Sequence, residues 1–113
     1  MEKNNKQDKK KLTVTINGEE FPIRLTMGAI LRFKEETGKE VNEAEGTVDN
    51  ATLVWCCIKS ACKREGKEFD YSLMDFADNV DAEDIQGLVN AVFLMFGGDQ
   101  SASEEGEEGK NAV

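Results

Sequence analysis

The sequence predicts an α+β domain, a two-stranded antiparallel β-hairpin followed by three to four packed α-helices. Three observations predict it. Alternating apolar and polar residues flank an Asn-Gly pair early in the chain. Helical apolar spacing recurs downstream, between glycines placed as helix stops. The apolar positions of the strand pair all fall on one face, which needs helices to cover it.

The hairpin occupies residues 12–25. Leu12, Val14 and Ile16 alternate with Thr13, Thr15 and Asn17, and Phe21, Ile23 and Leu25 alternate with Glu20, Pro22 and Arg24. Asn17-Gly18 suits a two-residue type I′ turn, in which both positions take positive φ. That turn sets Ile16 opposite Glu19, Val14 opposite Phe21 and Leu12 opposite Ile23, so turn chemistry and patterning agree on register. Pro22 has no N–H to give a ladder, which marks one side of its strand as an edge. A first helix follows from the cap candidate Thr26 to the stop Gly38, its stripe formed by Met27, Ile30 and Leu31 with Ala29 and Phe33 beside it. Arg32 stands four residues before Glu36, a spacing that permits pairing. Residues 39–49 are polar, with Val41 and Val48 as their large apolar side chains, and read as a loop.

A second helix is expected from Asn50 to about Glu65, closed by Gly66, with Val54, Cys57, Ile58 and Ala61 as its stripe. Residues 69–79 suggest a short helix capped by Asp70 or Ser72. Asp81 then caps a last helix whose Ile85, Leu88, Val89, Val92, Phe93 and Phe96 give the cleanest amphipathic pattern in the chain, ended by Gly97-Gly98. The expected organisation is a basic arm over 1–11, one domain over 12–97 and an acidic tail over 98–113. Both ends lack the apolar residues that offset ordering entropy and are read as disordered.

Composition narrows function. The 113 residues hold 14 Lys plus Arg and 23 Asp plus Glu, net −9, with no histidine. Phosphate neutralisation needs clustered Lys and Arg, so nucleic acid is not the expected ligand. Without histidine there is neither a Ser-His-Asp triad, nor a Cys-His pair, nor a His-containing zinc site. No apolar run reaches the roughly 20 residues that span a bilayer, so no membrane partner is expected. The start lacks the apolar stretch of a secretion signal. Cys56, Cys57 and Cys62 are an odd set that fits a reducing cytosol, and their spacing suits apolar filler better than metal ligation.

The acidic run Asp75, Asp78, Asn79, Asp81, Glu83 and Asp84 lacks the alternation and the central Gly of a calcium loop, and helix capping explains it better. Gly97-Gly98 has no Lys or Ser/Thr after it and is not a phosphate loop. Catalysis, cofactors and metals are therefore not expected. What remains is surplus apolar surface. Trp55 and Cys56 lie off the stripe of the second helix, and Leu94, with Met95 beside it, lies off that of the last. Either these helices are covered on several sides, or Trp55, Cys56, Leu94 and Met95 face a protein partner. The hairpin edge is a second candidate surface, open to an added strand or to self-association.

The run Leu12-Thr-Val-Thr-Ile-Asn-Gly-Glu-Glu-Phe-Pro-Ile-Arg-Leu-Thr-Met-Gly-Ala-Ile-Leu-Arg-Phe-Lys-Glu-Glu-Thr-Gly38 resembles the opening of small phage tail assembly chaperones, in particular gene-transfer-agent-like tail proteins. The likeness covers about 12–96, and 20–38 is its distinctive part. It implies a non-enzymatic role in the bacterial host cytosol. Such a protein binds the long helical tape measure protein of a phage or prophage tail and helps tail-tube subunits gather around it. The resemblance carries no residue-level site. A structural tail or head–tail component and an acidic DNA-mimicking inhibitor are the alternatives.

Overall fold

The computed structural model describes residues 11–97; the expected basic arm and acidic tail lie outside the described residues, apart from Lys11. Strands β1 (Leu12–Ile16) and β2 (Glu19–Ile23) form a two-stranded antiparallel sheet. Helices α1 (Met27–Thr37), α2 (Gly46–Glu65), α3 (Leu73–Asp78) and α4 (Ala82–Val92) follow. A 3₁₀ turn at Val41–Glu43 precedes α2, and a π turn at Phe93–Gly97 ends α4. The fold is the α+β hairpin-and-helices arrangement that the sequence predicts.

The hairpin has the predicted register. Asn17 and Gly18 take φ of 53° and 82°, and Ile16, Val14 and Leu12 face Glu19, Phe21 and Ile23. Ile16, Phe21 and Ile23 are buried, and Leu12 and Val14 pack half-buried against the same core. Thr26 caps α1 by accepting from the Ala29 amide at 3.0 Å, and Gly38 closes it in the left-handed region. The Arg32–Glu36 pair does not form; Lys34 reaches beyond the helix to Glu40 instead. Ser72 caps α3, accepting from the Asp75 amide. Asp81 holds the N-cap position of α4 without a side-chain bond.

Helix α2 is the centre of the molecule. It starts a turn earlier than Asn50, because the Asp49 carboxylate reaches back to the Glu45 amide at 3.1 Å and is itself gripped by Lys39 at 2.6 Å. The Lys39 ammonium and the Glu45 amide hold Asp49 below its ordinary pKa. Gly66, at φ 76°, ends the helix while the Lys67 and Gly66 amides satisfy the Cys62 and Lys63 carbonyls, a Schellman closure. Strand β2 and helices α1, α3 and α4 all pack on α2. Ten residues between Thr52 and Cys62 are consequently buried.

The predicted stripe of α1 is turned the wrong way. Ala29 and Phe33 face the core, whereas Met27 and Leu31 are 65% and 59% exposed. The reason is the closeness of α1 to α2. A Cβ on Gly28 would stand 2.8 Å from the Ser60 Oγ, and Ser60 shares a hydrogen bond with the capping Thr26 hydroxyl. Such an approach suits the small residues Gly28 and Ala29 at the first turn, while Phe33 enters the core one turn later and Met27 and Leu31 point outward. Gly28→Ala should therefore destabilise by about 1–3 kcal/mol through overpacking. In a Ser60→Ala background the same change should cost clearly less, a coupling that urea unfolding of the four combinations measures.

Candidate functional site

The side chains expected at a surface divide. Trp55 and Cys56 are corrected to core positions: Trp55 is 7% exposed and Cys56 is fully buried. Between Thr52 and Cys62 this helix is covered on nearly every side, so residues there that lie off its main stripe are still interior. The Trp55 indole N–H donates to the Tyr71 carbonyl at 3.0 Å, and the Lys59 ammonium sits 5.2 Å from the ring centroid. Trp55 thereby helps fix the connection between α2 and α3. Along that connection Lys67 pairs with Glu19 at 2.9 Å, Phe69 and Tyr71 meet the Phe21 ring edge-on, and the Asn17 amide donates to the Tyr71 hydroxyl.

Leu94 and Met95 lie on the π turn. Leu94 is 82% exposed, and Met95 is half-buried. The Arg24 guanidinium, 5.3 Å from the Phe96 ring centroid, brings this turn to the entry of α1. Thus the four residues do not make one surface. Two are interior, and two belong to the last of the described helical segments.

Met27 and Leu31 are apolar surface that periodicity alone assigns to the core. They stand one turn apart on the outward side of α1, the i, i+4 relation through which a helix presents a continuous ridge. The sequence signal for this is Gly28-Ala29 in the first turn after the Thr26 cap, a pair of small residues suited to a close helix contact. Val48 and Met74 are exposed elsewhere, on α2 and α3.

The thiols are chemically quiet. Burial pushes Cys56 from the ordinary 9.0 up to about 12, and raises Cys57 and Cys62 as well. A thiolate is the nucleophilic form, so none of the three is poised to attack at neutral pH. Among the described residues no helix is long and apolar enough to cross a membrane. Compared with protein-family models, curated proteins and solved structures, the chain matches none.

The raised thiols have a testable consequence. An unfolded thiol ionises near its ordinary value while the folded one keeps its proton, so stability falls as pH rises past about 9. Cys56→Ala should flatten this alkaline decline in urea-unfolding free energies measured between pH 7 and roughly 10. All three thiols should react with a disulfide reagent slowly in buffer and rapidly in denaturant.

Proposed function

We propose that the protein is a phage tail assembly chaperone. It binds the tape measure protein and assists tail-tube assembly through protein–protein contact, without catalysis. The reading is supported first by the likeness of residues 20–38 to the opening of that family. The observation that carries it is the exposure of Met27 and Leu31, side by side on α1 within that same run. A ridge of this kind packs into the groove between side chains of another helix, and a long amphipathic helix with anchors at i, i+3, i+4 and i+7 offers such a face. Exposed Leu94, on the turn that Arg24 ties to the start of α1, extends the apolar surface available to a partner. The net charge of −9 opposes non-specific collapse of the loaded complex.

The motif also has a structural logic. Thr26 caps and bonds Ser60, Gly28 permits the close approach, Ala29 is fully buried, and Arg24 covers Phe96. These residues hold α1 in place, and its outward side does the binding. Co-expression should keep the tape measure protein soluble and a pull-down should recover it. Met27→Glu with Leu31→Glu should abolish recovery while thermal stability changes little, within about 0.5 kcal/mol, as exposed positions allow. A tape measure protein left insoluble and unbound by the unaltered chain overturns the proposal.

A further inference from the structure

We propose that the outer edge of β1 pairs antiparallel with the same edge of a second copy, giving a four-stranded sheet in the order β2–β1–β1–β2. In the hairpin, Ile16 and Glu19 flank the two-residue turn and form a closely hydrogen-bonded pair, and such pairs alternate along the ladder. Val14–Phe21 and Leu12–Ile23 are then hydrogen-bonded pairs as well. Thr13 and Thr15 lie between them, and their N–H and C=O groups point away from β2. Among the described residues these groups have no backbone partner.

The two edges of the hairpin are unlike. β2 carries Glu19, Glu20 and Pro22, and just beyond it the Arg24 amide donates to the Cys57 carbonyl of α2 at 3.3 Å. β1, Leu-Thr-Val-Thr-Ile, has no charge, no proline and no bulge, and so lacks the devices that usually blunt an edge.

The sequence of β1 names its occupant. Leu-Thr-Val-Thr-Ile reads almost the same in both directions. Paired antiparallel about Val14, it sets Thr13 opposite Thr15 of the second copy, Val14 opposite Val14 and Leu12 opposite Ile16. Both threonine pairs fall where the outward groups exchange two hydrogen bonds, four in all. Leu12, Val14 and Ile16 keep to the apolar face in both copies, so half-buried Leu12 and Val14 gain apolar neighbours. Charge agrees: Lys11 falls opposite Asn17 of the second copy, beside a turn followed by Glu19 and Glu20, and Lys9 and Lys10 precede it in sequence.

The geometry leaves room for the helices. It is β2 rather than β1 that meets α2, and in a four-stranded sheet the two β2 strands stand about 14 Å apart. Helices pack about 10 Å apart, so two α2 helices fit beneath one sheet. Five residues span about 17 Å of pairing, which suits a concentration-dependent dimer rather than an obligate one.

Sedimentation velocity on the full chain, from low micromolar to near-millimolar concentration, should show reversible monomer–dimer exchange. Thr15→Pro removes an outward N–H and leaves the internal ladder intact; it should weaken the dimer at least tenfold, by roughly the loss of two hydrogen bonds, with unchanged circular dichroism. Thr13→Lys with Thr15→Lys opposes like charges and should weaken it similarly, whereas Thr13→Lys with Thr15→Glu should restore it. A monomer at every concentration overturns the inference, including one whose β1 edge is protected from hydrogen exchange by the chain's own ends. So does a dimer indifferent to Thr15→Pro, or equal weakening by both charge pairs. The tape measure pull-down is a separate readout, so either proposal can fail without the other.

Discussion

The enclosure of the middle of α2, from Thr52 to Cys62, is the constraint from which the rest of the molecule follows. Two five-residue strands are marginal in water, and α3 has only six residues, too few to stand without tertiary contacts. Each of these pieces becomes stable by giving an apolar face to the same helix. The polar groups on α2 that this arrangement buries are satisfied where they lie. The Thr52 hydroxyl donates a hydrogen bond to the Val48 carbonyl, and Ser60 shares one with Thr26. Both answer the requirement that a buried hydroxyl find a partner.

Local chemistry is legible in this sequence and global coverage is not. Asn17-Gly18, Thr26, Gly38, Gly66 and Ser72 act through their own backbones or the next turn, so the hairpin register and most helix ends can be read from neighbours alone. The face that a helix presents depends on what lies across from it. For α1 the helix across is so near that Gly28 and Ala29 belong inside, and apolar periodicity, which weighs large side chains most, selects the opposite side. The middle of α2 is covered almost all round, and an angular stripe separates Trp55 and Cys56 from a core that surrounds them. The early start of α2 was hidden because Asp49 is tied to Lys39, ten residues away and on the far side of a 3₁₀ turn. The aromatic strap of Phe69 and Tyr71 was hidden for the same reason: its partners on the hairpin lie about 50 residues distant, as in the Asn17–Tyr71 bond.

The interior also separates structure from surface chemistry. Cys56, Cys57 and Cys62 fill space beneath the sheet and helices, and burial keeps them protonated. The exposed apolar side chains proposed to meet a partner lie on α1 and the π turn, while β1, proposed to pair with a second copy, offers backbone groups at a sheet edge. A ridge of side chains suits a helix, and a row of amides and carbonyls suits a strand. The two surfaces therefore do not compete for one class of partner.

Interior and exterior are coupled at α1. Because the Thr26 cap and Ser60 draw its first turn against α2, a Cβ at position 28 would crowd the Ser60 hydroxyl. Helical geometry then places Met27 and Leu31 away from the core, one turn apart. Their exposure follows from the close contact between α1 and α2 at Gly28. A looser seat would let α1 roll, drawing Met27 and Leu31 inward and weakening the ridge. The short polar contact that fixes the helix and the apolar surface proposed to bind another protein are consequences of one placement.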